Sequence, residues 1–244
     1  MIDAKSLLDQ FLGGNAGTGL RNAGNQARDG LNRMSGAGGF ATGAAAGGLL
    51  GVLLGNKKAR KMAGNVAVYG GAAALGLLAY KAFRNWQAGQ NAASAQPASP
   101  AEAAQVEPKY LPAAAPAADG QPFELALVRA MVASAKADGH VDAAEQHRLF
   151  SEIERIGLDA EAKAWVFDLL ARPVSLAEVA GAAANEEQAA EIYLAARLGV
   201  DPDHPAEKAF LEALSARLQL PADLIAHLDR QVDAALAGQQ NAGA

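Results

Sequence analysis

The sequence predicts an all-α protein, and three observations carry that expectation. Of 244 residues, 51% are apolar but only 5% aromatic, and alanine supplies most of the apolar share. A β-sandwich would ask for more Val, Ile, Tyr and Phe. Helix-capping signals recur ahead of runs with helical period, and no strand is indicated. Glycines also stand at 39, 43, 47, 51 and 55, a spacing that lines one face of a helix.

Composition excludes several classes of function. The net charge of −5 gives no electrostatic footprint for nucleic acid. The chain has no cysteine, which removes disulfides, thiolate metal sites and cysteine nucleophiles. No secretory signal is read at the start.

Taken in order, residues 1–12 form a short amphipathic helix with Leu7, Leu8, Phe11 and Leu12 on one side. A helix that short needs a surface, of protein or of membrane. Residues 13–38 are rich in Gly, Asn and Ser, carry Arg21, Arg28 and Arg33, and read as a flexible basic tether. The first unit is therefore 1–38.

Residues 39–86 read as a Gly-rich membrane hairpin. No charge stands between Arg33 and Lys57, and none between Lys61 and Lys81. Each stretch is about twenty residues, enough to span a hydrocarbon core as a helix. Lys57, Lys58, Arg60 and Lys61 form the turn. Gly39, Gly43, Gly47, Gly51, Gly55 and Gly71 are the expected packing face, because small residues let helix backbones approach in lipid. A flexible linker, an interfacial hairpin and a single span are the rival readings. A phosphate loop is not supported, since no Lys-Ser/Thr follows the glycines. The flanking charges are nearly balanced and do not decide orientation.

Residues 87–122 read as a disordered Pro/Ala-rich linker. Residues 123–237 then show strong helical period and about seven short helices, followed by a disordered tail at 238–244. Helices are expected over 123–137, from Asp142 to about Ile156, from Asp159 to Arg172-Pro173, after Ser175, after Asn185, from Pro205 and from Pro221. A faint repeat at a shift of 62 pairs Glu145 with Glu207 and Leu149 with Leu211.

Two acidic turns are the chemically pointed features. One holds Asp138, Asp142 and Glu145, the other Asp201, Asp203 and Glu207. Clustered carboxylates at helix corners are oxygen ligands for a hard divalent cation, calcium, magnesium or manganese. The spacing is not that of an EF-hand. Helix capping explains much of the same pattern, Asp142 with Glu145 above all. His140 and His204 read as turn residues. His147 and His227 lie on helix faces with no constellation around them. Ser134 and Ser151 have no base to activate them, so no catalytic residue is expected. Trp165 and Tyr193 read as core.

The runs AKADGHVDAAE (135–145), NEEQAAEIYLAA (185–196) and DPDHPAEKAFLEALSARLQLP (201–221) resemble the TerB-like domain, named for tellurite-resistance proteins. Together with NKKARK at 56–61, the layout resembles the YebE-like bacterial inner-membrane proteins of unknown function. The resemblance implies an all-α domain of about seven helices with its acidic loops near each other, placed at a bacterial inner membrane. The side on which that domain lies is left undetermined by the flanking charges, the cytoplasmic side being slightly favoured. It implies a role in metal binding or in assembling envelope stress-response complexes.

The expected function is thus a membrane-tethered, non-enzymatic module that senses an ion or assembles protein. Its partners are membrane lipid and either other proteins or further copies of itself. No small-molecule substrate and no nucleic acid is indicated. The rivals are a metal-dependent hydrolase using the same carboxylates and a purely structural membrane adaptor.

Overall fold

The computed structural model describes residues 2–12, 72–137, 159–200 and 205–237. Among them are eight α-helices: α1 (Ala4–Phe11), α2 (Ala72–Gln87), α3 (Phe123–Ala135), α4 (Ala160–Ala171), α5 (Leu176–Ala180), α6 (Glu186–Leu198), α7 (Pro205–Arg217) and α8 (Ala222–Ala237). The described residues contain no strand.

The helix starts follow their caps. Asp3 accepts from Ser6 N at 2.9 Å, Asp159 from Ala162 N at 2.7 Å and Asn185 from Gln188 N at 2.8 Å. Each satisfies one orphan donor of a first turn. Ser175 likewise accepts from Glu178 N at 3.1 Å. The Glu178 side chain does not complete the box; Arg172 takes it in two bonds of 2.9 and 2.7 Å. That fork ties the end of α4 to α5 and, by its hydrogen bonds, holds Glu178 below the usual carboxylate range.

Helix α1 finds its surface in protein. Leu7, Leu8, Phe11 and Leu12 are buried, and the helix packs on α3. The α3–α6 pair and the α2–α8 pair are the most extensive helix contacts of the core.

Two expectations are corrected. The first concerns the membrane hairpin over 39–86. Its second arm supplies α2, and α2 lies in the core of the helical body. Ala74, Leu75, Leu77, Leu78, Ala79, Ala82 and Phe83 are all buried against it. A helix apolar on every side belongs either in lipid or in a protein core. Here α8, α6 and the segment after α2 enclose it. Among the described residues, no helix is long and apolar enough to cross a membrane. The first arm, the turn at 56–61 and glycines 39, 43, 47, 51, 55 and 71 lie outside the described residues.

The second correction concerns 87–122, expected as a disordered linker. These residues form four 3₁₀ turns, Ala92–Ser94, Pro100–Gln105, Pro108–Tyr110 and Pro112–Ala114. Proline opens three of them, where its fixed φ is favourable and its missing N–H costs nothing. Ser99 and Glu102 make a reciprocal capping box on the second. Side chains from the helices then clip the strap down. Gln231 accepts from Ala98 N at 2.7 Å and donates to Gln96 O at 3.2 Å, and Asn85 donates to the same oxygen at 3.0 Å. His227 Nε2 lies 3.1 Å from Gln90 O. Lys81 pairs with Glu102 at 2.7 Å.

Tyr110 is the strap's apolar anchor. Its ring sits 5.5 Å from Tyr80, edge on, and 5.5 Å from Phe83. Burial pushes its phenol up to about 12. The backbone at Tyr110 comes so close to α2 that a methyl at Gly76 would overlap its carbonyl oxygen. Gly76 lies in the charge-free stretch between Lys61 and Lys81 that was read as the second arm of the hairpin. Its use is a close approach of protein backbone.

Two substitutions separate these assignments from their rivals. Leu8→Ala is expected to destabilise the chain by about 2–5 kcal/mol, read as a lower urea midpoint. A helix lying on lipid would leave that midpoint unchanged. Gly76→Ala is expected to destabilise by about 1–3 kcal/mol as the strap is forced off. At a free helix face the same change would stabilise by about 1 kcal/mol, so the sign decides.

Candidate functional site

Helices α3 and α6 run side by side in the same direction. At their C-terminal ends the backbones nearly touch. A methyl at Gly199 would stand 2.6 Å from Met131 O and would also overlap the Ser134 hydroxyl. At their N-terminal ends, Phe123 of α3 and Asn185, Gln188 and Glu191 of α6 line one cavity of about 270 Å³. The strap closes it with Pro108, Lys109, Leu111 and two alanines.

Glu191 is the unusual group of that cavity. It is 1% exposed, and its Oε2 has no hydrogen-bond partner. Burial raises its carboxyl well above the ordinary range, and the negative charges of Glu124 and Glu187 push the same way. Glu124 is itself buried, on the first turn of α3. Glu187 differs. Burial works against its charge, but the Lys109 ammonium at 2.9 Å holds it below the usual carboxylate range. Gln188 fastens the strap over the site: its amide donates to Pro116 O at 3.0 Å, and its oxygen accepts from Ala184 N at 2.9 Å. A neutral carboxylic acid at ordinary pH can donate one hydrogen bond and accept another, or ionise when a cation arrives.

The acidic turns named in the sequence reading fall largely elsewhere. Asp138, Asp142, Glu145, Asp201 and Asp203 lie outside the described residues. Glu207 is on the first turn of α7 and is 8% exposed. The points where the two turns begin are described. Asp138 comes two residues after Lys136, the C-cap of α3, and Asp201 two residues after Gly199, the C-cap of α6. The Gly199 contact therefore brings the origins of both turns to one end of the α3–α6 pair. Beside the first origin, Lys136 donates to Leu170 O at 2.6 Å and Arg172 O at 2.8 Å, capping α4. Burial lowers the pKa of that lysine.

The remaining polar groups bind element to element. Tyr193 donates to Asp229 at 3.0 Å and Arg197 to Asp233 at 2.9 Å, joining α6 to α8. Burial raises both the Tyr193 phenol and the Asp229 carboxyl. Tyr193 is core, as its sequence position suggests, and Trp165 packs half-buried against the core. Among the described residues, no group of three or more His, Asp or Glu side chains is placed to hold a metal ion.

Glu191 was not singled out from sequence. It stands in the NEEQAAEIYLAA run as one acid among several on an alanine-rich helix. The only available signal was its place one turn past Glu187, between the apolar Ala190 and Ile192.

The described residues thus define a helical protein with a buried carboxyl at a strapped cavity and a central helix pair whose C-terminal ends meet at Gly199. The chain belongs to the family described as "Protein of unknown function (DUF533)", which matches residues 39–232. Over 98 residues it is 30% identical to the "Uncharacterized protein in ampR 5'region" of Yersinia enterocolitica, covering 40% of this chain and 70% of that protein. No solved structure matches the chain.

Because its folded-state pKa is raised, Glu191 holds its proton in the folded chain over a pH range where the unfolded chain has lost it. Stability from this group is full below the unfolded glutamate value, about 4.3, and falls as pH rises toward the raised folded value. Glu191→Gln removes that slope. The variant is expected to match the parent near pH 4 and to exceed it increasingly toward neutral and alkaline pH. Urea midpoints at several pH values measure this; a parent and variant that stay parallel across that range would contradict it.

Proposed function

We propose that this chain is a non-enzymatic, membrane-tethered module that binds a divalent cation at its paired acidic turns and assembles with a protein partner in response. The observation that supports the reading most is the closure of α3 on α6 at Gly199, which starts both turns from one end of a single helix pair. The C-terminal end of a helix carries partial negative charge. Two such ends side by side are followed in the sequence by Asp138, Asp142, Glu145, Asp201, Asp203 and Glu207, which adds negative charge to that end. A hard cation with oxygen ligands neutralises such a concentration. The resemblance to TerB-like domains favours the same use.

The tether in this reading is the charge-free stretch around residues 39–55 with its basic flank at 57–61. It stands apart from α2, which the helical core has taken. Helix α1 precedes the stretch and α2 follows it, so the helical body holds both of its ends. The membrane in this reading is a bacterial inner membrane, with the helical body on the cytoplasmic side.

The test is a titration of the full-length protein with calcium, magnesium and manganese, followed by NMR at the Ala137 and Val200 amides. Saturable shifts at both amides with a midpoint below about 1 mM are expected, together with their loss in the double variant Asp138→Asn/Asp201→Asn. Unchanged spectra up to about 10 mM of each metal would rule the ion reading out.

A further inference from the structure

We propose that the cavity between the N-terminal ends of α3 and α6 binds a small organic cation, a primary ammonium on a short alkyl chain, with Glu191 as its counter-ion. This site is separate from the acidic turns and does not rest on the function proposed for them.

Three features select that chemistry. Glu191 is 1% exposed at the cavity wall, and Oε2 has no partner within the protein. A buried polar atom left unpaired costs about 1–3 kcal/mol, so a ligand that satisfies it has a ready gain. The charges that act on Glu191 are those of Glu124 and Glu187, both negative. The cation on the wall, Lys109, is already engaged with Glu187 at 2.9 Å and Glu107 at 3.9 Å. The rest of the wall is largely apolar, with Phe123, Leu111 and Pro108.

Other ligands fit less well. An anion would meet Glu191 on the wall, with the negative charges of Glu124 and Glu187 acting on the same place. A divalent metal needs several oxygen ligands at close range, and the described residues place no such set. A primary ammonium needs one carboxylate and a few acceptors, and its alkyl tail lies on the apolar wall. At roughly 30 Å³ per heavy atom, a volume of about 270 Å³ takes a chain of five or six heavy atoms with room to spare.

Binding is coupled to a proton. The titratable groups around Glu191 are Glu124 from α3, Glu187 from α6 itself, and Lys109 and Tyr110 from the strap, with Lys5 of α1 behind Glu124. Helices α2 and α8 contribute none of the charges acting on it. In the empty site burial and the neighbouring negative charges favour the protonated carboxyl of Glu191. When the ammonium enters, Glu191 ionises and releases one proton to solvent, and no bond of the ligand is made or broken.

The experiment is calorimetry of the full-length protein with n-butylammonium, in two buffers of different ionisation enthalpy and at several pH values. Saturable binding with close to one proton released per ligand is expected. Affinity should rise about tenfold per pH unit below the Glu191 pKa. Glu191→Gln, which keeps the side-chain shape, should weaken binding at least about tenfold and abolish the proton release while its circular dichroism stays that of the parent. Glu124→Gln should weaken binding by a smaller factor, about three- to tenfold, by removing one of the two neighbouring charges. n-Butanol, with the tail and no charge, should not bind. The proposal is overturned by no saturation up to about 10 mM, by equal binding to Glu191→Gln, by binding without proton release, or by a Glu191 carboxyl resonance that follows magnesium or calcium and ignores butylammonium.

Discussion

The close contact of α3 with α6 is the constraint on which the rest of the molecule depends. Two helices that run in the same direction cannot be joined by a short loop. The chain must cross from the end of one to the start of the other, and α4 and α5 belong to that crossing. Gly199 permits the backbones to meet because it presents no side chain to Met131 and Ser134. With the C-terminal ends so fixed, the N-terminal ends also fall together, and the cavity with Glu191 lies between them. Helices α1 and α8 then pack outside this pair, α1 on α3 and α8 on α6, and α2 covers α6 against α8.

The strap from 88 to 122 shows how a proline-rich segment joins a core with few large side chains of its own. Proline lowers the entropy lost when such a segment is ordered, because its φ is already restricted. One buried ring, Tyr110, and a few amide side chains on helices then suffice to hold it. Gln231 serves as a clip because an amide offers a donor and an acceptor at once, which matches strap backbone that has no strand to pair with, and Gln188 adds a donor to Pro116 O. The strap shields α2 along one side and closes the Glu191 cavity at its other end.

The helical domain was largely legible in the sequence, and the reasons are local. Asp159, Ser175 and Asn185 announce helix starts through capping chemistry that acts over three residues. The amphipathic start at Leu7, Leu8, Phe11 and Leu12 was equally plain, though its partner was not. Two features needed information that no local pattern carries. The stretch that becomes α2 is apolar on all sides, and lipid and protein core impose the same requirement on such a helix. Only the presence of α6 and α8, far along the chain, with the strap, separates the two. The segment 87–122 was read from composition, which obscured the S-x-x-E box at Ser99 and Glu102 and the single buried aromatic at Tyr110. Glu191 was illegible for a further reason. Its character comes from α3 and the strap, which lie over sixty residues away in sequence.

The two ends of the α3–α6 pair treat negative charge in opposite ways. At the N-terminal ends, Glu124, Glu186 and Glu187 sit on first turns, where the helix dipole favours them. Glu191 lies one turn further in, beyond most of that benefit and out of water, and so its carboxyl is held well above the ordinary range. A glutamine there would pack alike without the pH-dependent penalty, so retaining an acid makes sense where ionisation is used. At the C-terminal ends the dipole opposes acids, yet the sequence after each helix soon brings an aspartate, Asp138 after α3 and Asp201 after α6. An isolated carboxylate gains nothing in such a place. A carboxylate that shares a cation does, because the cation is favoured by the turn and by both helix ends together. In the readings proposed above each end of the pair takes a positive charge, an ammonium beside Glu191 at one and a divalent cation at the acidic turns at the other, and the shared helix pair would link the two.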